Sequence, residues 1–310
     1  MKSGWACLWL FLAGSALAAE VKSNHSLLFT SFRKNGEDGL HLAWSRDGYQ
    51  WQALKQDQSF LAPKVGGQLM RDPSLIQGPD GTFHLVWTTA WNKHGLGYAH
   101  SRDLVHWSGQ QLFDVMKHEP LARNVWAPEL FYDPATRDFL IFWSTTIPGR
   151  YPATEKTGDD GYNHRVYLTS TRDFQTFTPT RLFYDPGFNC IDAAILQDGS
   201  RYLMVFKDET RQPPAKNLRL ATAEKAAGPY GKPSPPITGK YWAEGPTAIR
   251  LGDTWHVYFD RYTEHRYGLV VSKDLEHWTD ESEKVRFPAD HRHGTVLRIS
   301  PELLDRLIQE

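Results

Sequence analysis

Four acidic side chains and one histidine stand at the head of strand-like segments in this sequence. Asp72 leads into Pro73-Ser74-Leu75-Ile76, Glu129 closes Trp126-Ala127-Pro128-Glu129, and Asp192 follows Ile191. Glu244 lies in Ala243-Glu244-Gly245-Pro246, and His293 precedes Gly294-Thr295-Val296. Carboxylates gathered at one place destabilise one another, so a shared location implies a bound cation or chemistry that uses them. The chemistry open to carboxyl groups in unequal surroundings is divided acid–base work, one group protonated and another ionised. The flanking residues differ from copy to copy, which fits one site with separate roles. A repeat protein with one sugar site per unit would instead repeat the same residues in every unit.

The elements that must position these residues are legible as a repeat. An apolar strand runs into a Ser/Thr-x-Asp turn at Ser45-Arg46-Asp47, Ser101-Arg102-Asp103, Thr171-Arg172-Asp173 and Ser272-Lys273-Asp274, with Ala223-Glu224 as a degenerate copy. Trp51, Trp107, Phe177 and Trp278 follow the intact turns. The copies recur roughly every 50 to 70 residues, the period of an array whose unit holds several strands. Ahead of each turn come two further β segments split by Asp-Gly or Asp-Pro turns, such as Pro73–Ile76, Pro79-Asp80-Gly81 and Phe83–Trp87. Four antiparallel strands per unit result.

The ends complete the count. Residues 25–54 supply three strands and lack the first, while Gly294–Ile299 is an apolar strand without a partner. Pairing that C-terminal strand with the N-terminal three closes an all-β, five-bladed β-propeller. Two β-sandwiches would leave the missing and the surplus strand unexplained. In a propeller the first strand of each blade lines the axis, so the five residues above meet at one address.

Composition agrees with a large all-β unit. The 310 residues are 40% hydrophobic and 13% aromatic, including 12 Trp, enough for a core and a lined groove. A net charge of −1 without any Lys/Arg run gives no electrostatic reason to expect nucleic acid or an anionic membrane as partner. Residues 1–18 read as a secretory signal: Lys2, the apolar run Trp5–Ala13, and Ala16-Leu17-Ala18 as cleavage site. The expectation is a periplasmic or secreted monomer, with residues 19–310 forming one domain and Cys190 its only thiol.

The order of these motifs resembles glycoside hydrolase family 43, the five-bladed arabinofuranosidases, xylosidases and galactofuranosidases, over essentially the whole mature chain. The resemblance implies Asp72 as general base, Glu244 as general acid and Asp192 as the residue that orients and tunes the acid. It implies an oligo- or polysaccharide substrate and an inverting reaction, in which the two carboxyl groups stand about 6.5–9.5 Å apart. Such an enzyme removes terminal furanose or pentose units: α-L-arabinofuranose, β-D-xylose or β-D-galactofuranose. Substrate contacts are expected from Arg71, Trp91, Trp126, Glu129, Phe188, Lys207 and Arg261. His293 resembles an axial histidine found near a central calcium or water cluster in that family; no cofactor is required, and a structural Ca²⁺ on the axis is compatible with the carboxylates. Three other readings stay open. One is a carbohydrate-binding propeller without catalysis, a second a fructosidase-like relative suggested by Arg71-Asp72-Pro73, and the third a phosphorylase. The loop 147–164 is expected at the pocket mouth.

Overall fold

The computed structural model describes Met1 and residues 26–310; the signal segment read from the sequence lies outside the described residues apart from Met1. Strands β1 (Leu27–Ser31), β2 (His41–Ser45) and β3 (Gln52–Ala53) open the chain. Next come β4 (Arg71–Gln77), β5 (Phe83–Thr88), β6 (Leu96–Ser101) and β7 (Gln111–Phe113), then β8 (Trp126–Asp133), β9 (Asp138–Thr146), β10 (His164–Thr171) and β11 (Arg181–Tyr184). A fourth group holds β12 (Cys190–Asp198), β13 (Arg201–Asp208) and β14 (Asn217–Ala223). The fifth holds β15 (Glu244–Leu251), β16 (Thr254–Arg261), β17 (Arg266–Ser272) and β18 (Thr279–Asp280). β19 (Val296–Arg298) then returns to the start and pairs antiparallel with β1, Phe29 opposite Val296 and Leu27 opposite Arg298.

These five antiparallel sheets are the blades of a β-propeller, closed as the sequence implies. The core is divided in the same way. Each pair of adjacent blades encloses its own apolar cluster, such as Val86, Tyr98, Ile141 and Trp143 between the second and third sheets in chain order. Five such clusters run around the ring, the last joining Leu27 and Phe29 to Leu251 and Tyr258. Second strands are therefore buried on both faces, and all six residues of Phe83–Thr88, His84 included, are buried.

One blade departs from the four-strand expectation. β12–β14 form a three-stranded sheet. The place of the fourth is taken by residues 231–237, where Gly231, Ser234 and Ile237 donate backbone N–H groups to Thr222, Leu220 and Leu218. Pro233, Pro235 and Pro236 have no N–H to donate, so the segment follows β14 without becoming a strand. Helix α1 (Pro301–Gln309), capped by Ser300, buries Leu303, Leu304 and Leu307 against the cluster between the first two sheets.

Candidate active site

All four full inner strands begin with the same irregularity. The pairing of β4, β8, β12 and β15 with their second strands skips two residues, and the first skipped residue has left-handed backbone: Asp72 (φ 50°), Ala127 (φ 47°), Asp192 (φ 55°) and Gly245 (φ 57°). Such bulges re-aim side chains where a strand enters a site. For three residues other than glycine the conformation costs of order 1 kcal/mol each or more, which the ring must hold in place. Gly245 has a second reason to be glycine: a Cβ there would run into the His293 ring.

The bulges correct the expected alignment. Asp72 and Asp192 do share an address, together with Ala127 and Gly245. Hydrogen bonds extend the register to the short fifth inner strand: Val296 N–H donates to Thr247 Oγ1 as Leu130 N–H donates to Ser74 Oγ, which places His293 level with Asp72. Glu244 sits one residue earlier, level with Arg71, Trp126 and Arg292. Glu129 sits two residues later, level with Ser74 and Thr295, and bonds to both hydroxyls at 2.7 and 3.3 Å. It therefore belongs to the channel wall beyond the mouth, where it lines a different cavity of about 420 Å³. Expecting Glu129 among the substrate contacts at the mouth is corrected accordingly.

At the mouth a cavity of about 210 Å³ is lined by Arg71, Asp72, Trp91, Trp126, Asp192, Lys207, Glu209, Glu244 and His293, with Thr88, Ala127 and Ile191 between them. Asp72 accepts from Thr88 Oγ1 at 2.8 Å and faces His293 Nδ1 at 3.3 Å. Burial alone would push its carboxyl up, but His293, Arg71 and Thr88 together hold it well below the usual carboxylate range. Asp192 is treated differently. Burial pushes it up to about 6 against the pull of His293 and Lys207, and its Oδ2 accepts the Gly245 N–H at 2.9 Å. That bond fixes the backbone next to Glu244.

Glu244 itself is held between two cations: Lys207 Nζ donates to Oε2 at 3.0 Å, and Arg292 Nη2 to Oε1 at 3.4 Å. Arg292 also donates to Asp260 Oδ2 at 2.6 Å. His293 is the central charge. Burial would lower it, yet Asp192, Asp72 and Glu129 push it up to about 9, so it carries a proton at neutral pH. His293 Nδ1 already faces Asp72 Oδ1 at 3.3 Å, and calcium takes oxygen ligands in preference to an imidazole nitrogen. Among the described residues no group of three or more His, Cys, Asp or Glu is arranged to hold a metal ion. The donor set does not fit an axial calcium bound through His293.

Two further expectations are corrected. Phe188 is half-buried and packs onto the core cluster, its ring against Phe206 and beneath the Arg219 guanidinium. Arg261 is one residue past Asp260, and alternation along β16 turns it to the other face, onto the Tyr241 ring and Glu264. Alternation also selects Lys207 for the mouth and turns Asp208 to Arg219. Asp260, Arg292 and Thr88 were not anticipated, whereas Glu209, at the end of the segment Lys207-Asp208-Glu209 that the sequence places within reach of substrate, does line the mouth. The signal for Asp260 was present, since it ends its second strand level with Lys207.

Trp91 is 47% exposed at the rim; its indole lies under the Arg71 guanidinium and edge-on to Trp126. Trp126 in turn meets Tyr162, so the loop 147–164 does reach the mouth.

Residues 23–305 match a family model described as "Probable glycosyl hydrolase domain" and named for its relation to glycosyl hydrolase family 43. An α-L-arabinofuranosidase of Bifidobacterium longum is 22% identical over 205 residues, which is 57% of this chain and only 19% of that much longer protein. Among solved structures, an α-L-arabinofuranosidase from Lactobacillus brevis superposes with a TM-score of 0.54 at 16% identity, covering 68% of this chain and 72% of that one. A GH43_1 enzyme from Xanthomonas citri, solved with xylotriose, gives a TM-score of 0.54 at 15% identity over 71% of this chain and 76% of that one. At these identities the structural likeness is one of fold.

Proposed function

This chain belongs to glycoside hydrolase family 43, and from that premise we propose that it is an exported, monomeric, inverting exo-glycosidase acting on terminal furanose or pentose units. The observation that carries the reading is the unequal treatment of the carboxyl groups at one mouth. Asp72 is held ionised by the His293 imidazolium and Thr88, as a base must be. Glu244 approaches from another blade and has its backbone fixed by Asp192.

In this reading Asp72 takes a proton from water as the water oxygen bonds to the anomeric carbon. Glu244 gives its proton to the glycosidic oxygen as that oxygen leaves from the opposite face. The released sugar carries the water oxygen with inverted configuration, and the second fragment leaves as an alcohol. A mouth of about 210 Å³ is smaller than the roughly 300–1,000 Å³ of drug-sized pockets, which suits one sugar ring at a chain end. The exposed Trp91 and neighbouring Trp126 offer ring faces for stacking beside it. α-L-Arabinofuranose, β-D-xylose and β-D-galactofuranose are the candidate sugars, and residues 1–18 support export.

The test is hydrolysis of nitrophenyl glycosides of these three sugars and of matching natural oligosaccharides, with the newly released anomer read by NMR in the first minutes. One sugar released with inversion is expected, and Glu244→Gln should abolish cleavage of the natural oligosaccharide. A retained configuration would remove the base role from Asp72. Binding of oligosaccharide without hydrolysis would make the protein a carbohydrate-binding propeller.

A further inference from the structure

Behind Glu244 the structure holds an unbroken line of alternating charges that none of the assigned roles uses. Lys207 Nζ, which donates to Glu244, also lies 2.6 Å from Glu209 Oε2. The other oxygen of Glu209 takes a hydrogen bond from Lys216 Nζ at 2.6 Å, and Lys216 reaches Asp159 Oδ2, also at 2.6 Å. Arg211 flanks Asp159 at 3.2 Å. The two lysines are buried, at 3% and 1% side-chain exposure, whereas Asp159 is 47% exposed on a short 3-10 turn of the loop beside the mouth. Burying two ammonium groups is costly unless they are paired, so a line this complete is held by the fold.

The geometry points to Glu209 as a positioning residue that sets, through Lys207, how strongly the acid Glu244 is held as a carboxylate, with Lys216 and Asp159 fixing Glu209 from the loop side. This rests on the assignment of Glu244 as acid. Lys207 has two carboxylate partners and the shorter contact is to Glu209. Were Glu209 neutral, the ammonium would lean more heavily on Glu244 and disfavour the protonated form that donates. Glu209 thus draws the cation aside, and Lys216 keeps it from drawing further. The remaining groups around the pair are fixed by other elements: Arg292 with Asp260, Asp192, Tyr262 and Tyr267 beside Glu244, and Asp72 and the His293 imidazolium across the mouth. His164, the other neighbour of Lys207 and Glu209, is pushed down to about 4 by burial and stays neutral.

The experiment is the pH dependence of kcat on an unactivated oligosaccharide for wild type, Glu209→Gln, Lys207→Met, Lys216→Met and Glu244→Gln. The basic limb of that profile reports the acid in the complex. Glu209→Gln, which keeps the shape of the side chain, should move this limb to lower pH by about 1 pH unit. Lys207→Met should move it to higher pH, and Lys216→Met to higher pH by less. If Lys207→Met fails to fold, Glu209→Gln and Lys216→Met still predict opposite directions, which mere loss of packing would not produce. An unmoved limb in Glu209→Gln, or shifts of one sign in both variants, overturns the inference alone provided Glu244→Gln is inactive. A fully active Glu244→Gln overturns the acid assignment and this inference with it.

Discussion

The propeller uses aspartate in two rings, and they are built on opposite principles. In the outer turns Asp47, Asp103, Asp173 and Asp274 make the same bonds four times, each Oδ1 accepting the N–H groups two and three residues on at 2.7–3.0 Å. Their carboxyls all lie below the ordinary value, held there largely by those backbone donors. At the channel mouth the shared address holds Asp72, Ala127, Asp192, Gly245 and His293, no two in the same surroundings, with one Asp pushed down and the other up. Repetition accompanies a turn whose carboxylate is satisfied by the backbone beside it. Asymmetry accompanies groups whose state depends on other blades.

Substitution separates the two rings most sharply at the mouth. Asp72→Asn and Glu244→Gln should each lower kcat on an oligosaccharide by roughly 10²–10⁴-fold, the range of a lost general acid or base, with circular dichroism unchanged. His293→Gln should reduce activity and stability together. It leaves Asp72, Asp192 and Glu129 without their central cation, a loss on the order of 3 kcal/mol for a broken buried pair. It also removes what holds Asp72 down, so the acidic limb of the rate profile should move to higher pH. Denaturant unfolding and a pH–rate series check both; an unmoved acidic limb would detach His293 from Asp72.

The repeated ring was the legible one. Turn spacing, the missing first strand and the surplus last one together specify five closed blades, because each is a local pattern with one consistent closure. The mouth was legible to the residue at Asp72, Asp192 and His293, but only to within two residues at Glu244 and Glu129. The cause is the bulge. A left-handed residue at the head of each inner strand breaks the alternation from which facing is read, and no residue type marks it, since Asp, Ala and Gly all occupy the position. Arg292 was missed for a different reason. It acts through Glu244, a partner distant in sequence, and such a pairing appears only when the blades are assembled.

Apart from Asp72, the titrating groups of the channel should respond to pH in the sense opposite to the turns. His293, Glu129 and Asp192 have folded values above their ordinary ones, about 9, 7 and 6. Each stabilises fully below its ordinary value and loses that contribution as pH rises through the folded one. The turn aspartates and Asp72 are lowered, so their contributions are present above the ordinary Asp value and lost on acidification. The melting temperature should peak on the mildly acidic side and decline from neutrality towards pH 9. Glu129→Gln removes the group that must ionise in the channel wall, so it should flatten the part of that decline between about pH 4.5 and 7. A decline of unchanged slope in that variant would mean Glu129 does not titrate with folding.

The smallest effects belong to the turns, and they discriminate by acceptor rather than by charge. Asp274 Oδ1 serves the N–H groups of Glu276 and His277, and Ser272 Oγ that of Leu275. Asn keeps an oxygen at that place and Ala does not. Asp274→Asn should therefore lower the melting temperature only slightly, while removing this turn's share of the acid sensitivity, because the group no longer titrates. Asp274→Ala leaves two donors to water and should cost a few degrees. Neither should alter kcat, since every bond the turn makes closes within its own blade. A change in turnover with either variant would show that the outer turns reach the mouth, and the division between the two rings would fall.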